Sequence, residues 1–283
     1  MASMDQFILF GDSITQASFA QDRGFAFGAA LADIYTRRLD VINRGLSGYN
    51  STQGFQALPL IMPDPEVARV RFLTIFFGAN DARLPDTPGG PQQTVPLEDF
   101  VQNLRAMVKH PAVQRHKGIR IVLVMTPPVD ERELLKHDME SYPGMGRVLR
   151  RTAVNTARYA QAVRELGTEL GLSVLDIHGA MLKRAGYNSS TAGTPTDERT
   201  PGSRATGSPS SPMVGSLEAP PSDMLQSFLY DGLHFSGEGY KLLYGELMAL
   251  IEEDFPDQMP TRLPFVLPAW DDGKAWGARN GSG

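Results

Sequence analysis

Cysteine is absent from all 283 residues. That removes disulfide frameworks, thiolate zinc sites and thiol nucleophiles, and it fits a reducing compartment. An excess of one charge is also missing. Against 32 Asp and Glu stand 27 Lys and Arg, a formal net charge of -5, with both signs spread along the chain. No long basic stretch offers itself to a phosphate backbone, so no nucleic-acid partner is expected. Long hydrophobic runs are lacking too. Met1 to Gln6 has no basic leader region, and the apolar run Phe7 to Phe10 is too short for a signal segment or a span. The chain therefore reads as a cytoplasmic protein without stable membrane insertion. No His-x-x-x-His pair or comparable carboxylate cluster occurs, so no metal is expected. Nor is there a Gly-x-Ser-x-Gly elbow, which argues against the α/β-hydrolase fold.

What is present is an alternation. Short apolar segments at Gln6 to Phe10, Val41 to Asn43, Val70 to Phe77, Arg120 to Met125 and Ser173 to Asp176 are separated by longer helix-like stretches. This is the pattern of parallel strands joined by helical crossovers, hence an α/β domain. The third segment is nearly continuous in apolar side chains, as a central strand covered on both faces requires. Helices are predicted at Gly24 to Arg38, Ser51 to Ile61, Leu97 to His110, Val148 to Leu170 and Gly237 to Glu252. Residues 1–257 are read as a single domain with a disordered insertion at 188–222, where Ser, Thr, Pro and Gly dominate and aromatics are missing. The Pro- and Trp-containing tail, 258–283, is expected to run extended over the surface.

Four places combine reactive side chains with a turn. Phe10-Gly11-Asp12-Ser13 ends the first strand, and in an open parallel sheet ligands bind outside the carboxyl ends of the strands. Gly11 is read as allowing a tight turn there. Ser13 is a nucleophile only if a base removes its proton, and that base needs a partner to fix its tautomer. Asp231-Gly232-Leu233-His234 offers both, with Gly232 favouring the turn that brings Asp231 back to the ring. His178, after Asp176, is a rival base at another strand end. His110, His116 and His137 stand in polar context and read as solvated. Gly45, after the second strand, and Asn80 in Gly78-Ala79-Asn80-Asp81, after the third, are candidate oxyanion donors together with the Ser13 amide. Asp12 and Asp81 are read as hydrogen-bonding supports.

These blocks resemble, in order and spacing, the four signature blocks of SGNH/GDSL hydrolases: Ser13, Gly45, Asn80 and His234 match the four letters of the name. Asn43 to Asn50, Thr74 to Ala82, Val95-Pro96-Leu97 and Leu233-His234 look like the isoamyl acetate-hydrolysing esterase branch. The resemblance implies a flavodoxin-like three-layer sandwich with a five-stranded parallel sheet of order 2-1-3-4-5 flanked by helices. It also implies hydrolysis of small acetate-type esters through an acyl-enzyme on Ser13, with no cofactor. Ile177-His178 departs from the aromatic usual in that branch. Two alternatives stand beside this reading: a lysophospholipase, thioesterase or acyltransferase on the same site, or a non-catalytic flavodoxin-like binding module. A homo-oligomer is compatible with either.

Overall fold

The computed structural model describes residues 4–90, 92–187 and 212–280. Five strands, β1 (Asp5–Gly11), β2 (Leu39–Gly45), β3 (Val70–Phe76), β4 (Arg120–Val124) and β5 (Ser173–Leu175), form one sheet in the order β2-β1-β3-β4-β5. All four pairings are parallel. The expected fold and strand order are those observed.

Period-two alternation explains the two-sided core. On one face Phe7 and Leu9 of β1, Phe72 and Phe76 of β3 and Val122 of β4 share a cluster. That cluster includes α2 (Phe27–Ile34), α8 (Ile177–Arg184), α9 (Asp223–Phe228) and α10 (Gly237–Asp254). On the other face Ile8, Phe10, Leu73, Ile75, Ile121 and Leu123 pack with α3 (Ser51–Ile61), α4 (Leu97–Lys109), α5 (Pro111–Gln114) and α7 (Ala153–Leu170). In register Gly11 of β1 lies between Gly45 and Phe76, so the turns that follow the three strands open side by side. The first of these turns carries α1 (Ser13–Gln16).

Several boundaries differ from expectation for local reasons. The α7 helix starts at Ala153 rather than near Val148, because Thr152 is extended and its side chain accepts from the Asn155 amide, an N-cap. An unexpected helix, α6 (Glu131–Ser141), follows β4 and is capped by Asp130, which accepts from the amides of Arg132 and Glu133. The tail is not extended throughout, since it contains α11 (Gly273–Asn280), opened by Asp272 accepting from the Ala275 amide, and residues 281–283 lie outside the described residues.

Of the insertion expected at 188–222, residues 188–211 lie outside the described residues. Residues 212–222 are placed against α6. The Glu131 amide donates to Gly215 O, and the Glu131 carboxylate accepts from the Leu217 and Ala153 amides at 3.0 and 2.8 Å. Backbone groups there find partners on a neighbouring helix end, which composition cannot reveal. Among the described residues no helix is long and apolar enough to cross a membrane.

Candidate active site

Ser13 opens α1 directly after β1, and Asp12 caps it, its Oδ1 accepting from the Ile14 amide at 2.9 Å. Gly11 is needed for space rather than for a turn: a Cβ there would overlap the Thr15 side chain and the Phe76 carbonyl. From the far side of the sheet end, Tyr240 of α10 donates to Ile14 O at 2.6 Å and braces the same turn.

His234 and Asp231 lie in the loop between α9 and α10. An antiparallel bridge between Leu229 and Phe235, and a bond from the Tyr230 amide to His234 O, close this loop on itself. Gly232 has φ +82° and packs so tightly on α6 that a Cβ would overlap the Asp130 carbonyl and the Leu134 amide. The Asp130 amide donates to Gly232 O at 2.9 Å. The loop is therefore clipped to the segment that follows β4.

The result is an unbroken chain of hydrogen bonds. Ser13 Oγ lies 2.9 Å from His234 Nε2, and His234 Nδ1 lies 2.7 Å from Asp231 Oδ2. An ionised carboxylate only accepts, so the ring proton sits on Nδ1 and Nε2 is left as acceptor for the Ser13 hydroxyl. Burial raises the Asp231 pKa, but bonds from the His234 ring and from the His234 and Leu233 amides outweigh it and hold the carboxyl below its usual value. The Tyr230 ring stacks beside the imidazole with centroids 5.9 Å apart, and the Arg23 guanidinium lies over the Tyr230 ring, 4.3 Å from its centroid.

The candidate oxyanion donors differ in availability. Asn80 is buried, and its Nδ2 donates to Tyr49 O at 2.9 Å while its Oδ1 accepts from Arg151. Gly45 N–H is already committed, to Asn43 Oδ1 at 2.8 Å. A Cβ on Gly45 would overlap the backbone of Thr15 and Gln16, so the absent side chain lets β2 lie directly against α1.

Both supporting acids are buried. Burial pushes the Asp12 carboxyl up to about 7, against the Ile14 amide bond and the charge of His234. Burial pushes Asp81 up to about 6, against hydrogen bonds from Ser51. Asp81 Oδ1 accepts from the Ser51 amide at 2.8 Å, while its Oδ2 has no partner among the described residues.

Two of the other histidines are accounted for by packing. His178 is buried and its Nδ1 donates to Thr126 O at 2.9 Å, while burial lowers its pKa. His116 is not solvated as expected but 1% exposed. Its Nδ1 accepts from the Val70 amide and its Nε2 donates to Pro63 O, joining the start of β3 to the chain before it. Arg151 and Gln93, which approach the Asn80 side chain, carry no sequence signal, while Tyr49 lies within the Asn43 to Asn50 block. Among the described residues no group of three or more His, Asp or Glu side chains is arranged to hold a metal ion.

The profile of the GDSL-like lipase/acylhydrolase family matches residues 9–242, from the end of β1 into α10. The chain belongs to this family. As a GDSL acylhydrolase it is a carboxylic ester hydrolase, and its relatives cover most of its length. It is 34% identical over 271 residues to the isoamyl acetate-hydrolyzing esterase 1 homolog of Bos taurus, covering 94% of this chain and 86% of that one. It is 30% identical to the isoamyl acetate-hydrolyzing esterase of Saccharomyces cerevisiae, covering 95% and 94%. Among solved structures, a lipase/acylhydrolase from Enterococcus faecalis superposes with a TM-score of 0.55 at 23% identity, covering 94% of this acylhydrolase and all of that chain. That likeness concerns the fold.

Proposed function

We propose that this acylhydrolase cleaves short-chain carboxylic esters through an acyl-enzyme on Ser13. The observation that carries the reading is the bonded series Ser13 Oγ, His234 Nε2, His234 Nδ1 and Asp231 Oδ2, with 2.9 and 2.7 Å at its two links. His234 takes the hydroxyl proton as Ser13 Oγ attacks the ester carbonyl, and Asp231 stabilises the imidazolium that forms. The Ser13 amide and one Asn80 N–H receive the developing oxyanion, each matched to charge that exists only as the carbonyl becomes tetrahedral. Gly45 N–H joins them by exchanging Asn43 Oδ1 for the oxyanion. His234 then protonates the leaving alcohol, and water, activated by the same histidine, releases the acid and restores Ser13.

The preference for small acyl groups draws support from the relatives whose names specify isoamyl acetate. A chain-length series of p-nitrophenyl esters tests it, with turnover expected to be highest at acetate or its near neighbours. A steady rise beyond about eight acyl carbons, where each buried methylene adds about 0.8 kcal/mol, would favour a lysophospholipase or long-chain thioesterase instead. A fluorophosphonate probe tests the nucleophile: folded wild-type protein should label covalently and Ser13→Ala should not. Absence of labelling would support the non-catalytic alternative.

A further inference from the structure

The proposed oxyanion donor Asn80 is gripped by a cation. Arg151, just ahead of the Thr152 cap of α7, is 5% exposed. Its Nε donates to Ala79 O at 2.6 Å and its Nη2 to Asn80 Oδ1 at 2.9 Å. One guanidinium thus holds both the main chain of the turn after β3 and the side chain it carries.

A guanidinium can only donate, so the atom of the Asn80 amide facing it must be oxygen, and the NH2 group is forced to the opposite end. Gln93 Nε2 lies 3.4 Å from the same oxygen, and the Tyr49 carbonyl takes one Nδ2 hydrogen. Three of the four hydrogen-bonding positions of the amide are then filled by protein, which leaves one N–H uncommitted. A positive charge on Oδ1 also draws electron density out of the amide and makes that remaining N–H a stronger donor. In a buried site this polarisation is poorly screened. Burial lowers the Arg151 pKa only to about 10, so the charge is present at neutral pH.

We infer that Arg151 is a positioning residue for the oxyanion hole, fixing the orientation of the Asn80 amide and strengthening the one N–H it offers to the tetrahedral intermediate. This rests on the proposed role of Asn80. A lysine carries its three N–H groups on a single nitrogen and lacks the fixed spacing with which Nε and Nη2 of the planar fork meet the two oxygens, whereas glutamine offers a neutral NH2. Both substitutions should therefore weaken transition-state stabilisation while leaving ester binding nearly intact.

The test is a double-mutant cycle on the full chain with p-nitrophenyl acetate, using Arg151→Lys, Arg151→Gln and Asn80→Ala. Each Arg151 variant should lower kcat by about 10-fold or more with KM changed less than about threefold, the mark of an interaction made only in the transition state. In the Asn80→Ala background the same substitutions should change kcat less than about twofold, because the group they act through is gone. Binding of a trifluoromethyl ketone, which forms a tetrahedral adduct on the serine, should weaken in parallel with kcat. A full-size loss in the Asn80→Ala background, a change in KM alone, or failure of both Arg151 variants to fold would show a purely structural residue and overturn the inference. Fluorophosphonate labelling of wild type but not Ser13→Ala tests the underlying hydrolase reading separately.

Discussion

Asp231 holds His234 twice: Oδ2 meets the ring Nδ1 at 2.7 Å, and Oδ1 accepts the His234 backbone amide, also at 2.7 Å. The second bond, joined by one from the Leu233 amide at 3.0 Å, orients the carboxylate independently of the ring. Asp231→Asn should therefore keep the loop geometry, because the carboxamide oxygen can still accept from both amides. Its NH2 would then face Nδ1 and force the proton onto Nε2, where it points a donor at Ser13. Turnover should fall about 10³- to 10⁴-fold with KM little changed. Steady-state kinetics on the variant check this, and a loss below about 10-fold would remove Asp231 from the proposed triad.

The two buried acids under the site impose a pH dependence on stability. Asp12 and Asp81 titrate at about 7 and about 6 in the folded protein, both raised chiefly by burial, against about 3.9 for an unfolded aspartate. With a raised folded pKa, the unfolded chain binds fewer protons between these limits, so each group lowers stability as pH climbs from about 4 to its folded pKa. Above that pKa the loss is complete and levels off. Asp231, held low, acts in the opposite sense: its contribution is present above about 4 and is lost as pH falls through its folded pKa. Urea unfolding across pH 4 to 8 should show the decline, and Asp12→Asn, which keeps the acceptor for the Ile14 amide, should flatten it up to about pH 7. An unchanged slope in the variant would assign the pH dependence elsewhere.

The sheet was legible because its strands are short apolar runs whose alternation directly encodes two buried faces, as Phe7 and Ile8 illustrate by entering opposite clusters. The candidate residues Ser13, Asn80, Asp231 and His234 stand out in the sequence because each falls in or beside a turn, where reactive types contrast with packing types, and the structure brings Ser13, His234 and Asp231 within hydrogen-bond distance. What the sequence does not display depends on contacts far apart along the chain. Arg151 reaches Asn80 across 71 positions and His116 reaches Val70 across 46, and neither residue has a local signature. Residues 212–222 escaped because their order comes from Glu131 on another element, while their own composition speaks only for a loop.

That docking makes Glu131 a test of how the 212–222 segment is held. The residue is 4% exposed, and its two carboxylate oxygens accept separately from the amides of Ala153 and Leu217. Arg132 reinforces the junction, its Nη2 donating to Leu217 O and Ala219 O, both at 3.1 Å. Glu131→Ala would leave two amides without their acceptors, at about 1 to 3 kcal/mol each if they stay buried. Glu131→Gln keeps one acceptor and should lie between that variant and wild type. Urea midpoints read the stability, and limited proteolysis should cut within 212–222 faster in Glu131→Ala. Equal stability of all three proteins would mean that the segment is not anchored there.

Gly45 and Gly48 lie three residues apart, yet their side chains are absent for different physical reasons. Gly48 has φ +82°, with open space around a Cβ: the nearest atom is Gln93 Nε2 at 3.9 Å. Alanine there should cost about 1 to 2 kcal/mol of backbone strain and leave the site unchanged. Gly45 has no such φ, but a Cβ would overlap the Thr15 and Gln16 backbone of α1. Backbone cannot rotate aside as a side chain can, so Gly45→Ala must push α1 away from β2, at about 1 to 3 kcal/mol or more. That shift moves Ser13, whose bond to His234 leaves little room at 2.9 Å. Gly45→Ala should therefore lose kcat by far more than its stability change would suggest, whereas Gly48→Ala should lose stability alone. Thermal midpoints and kcat measured together on the two variants separate the mechanisms, and equal kcat in both would show that β2 does not set the position of Ser13.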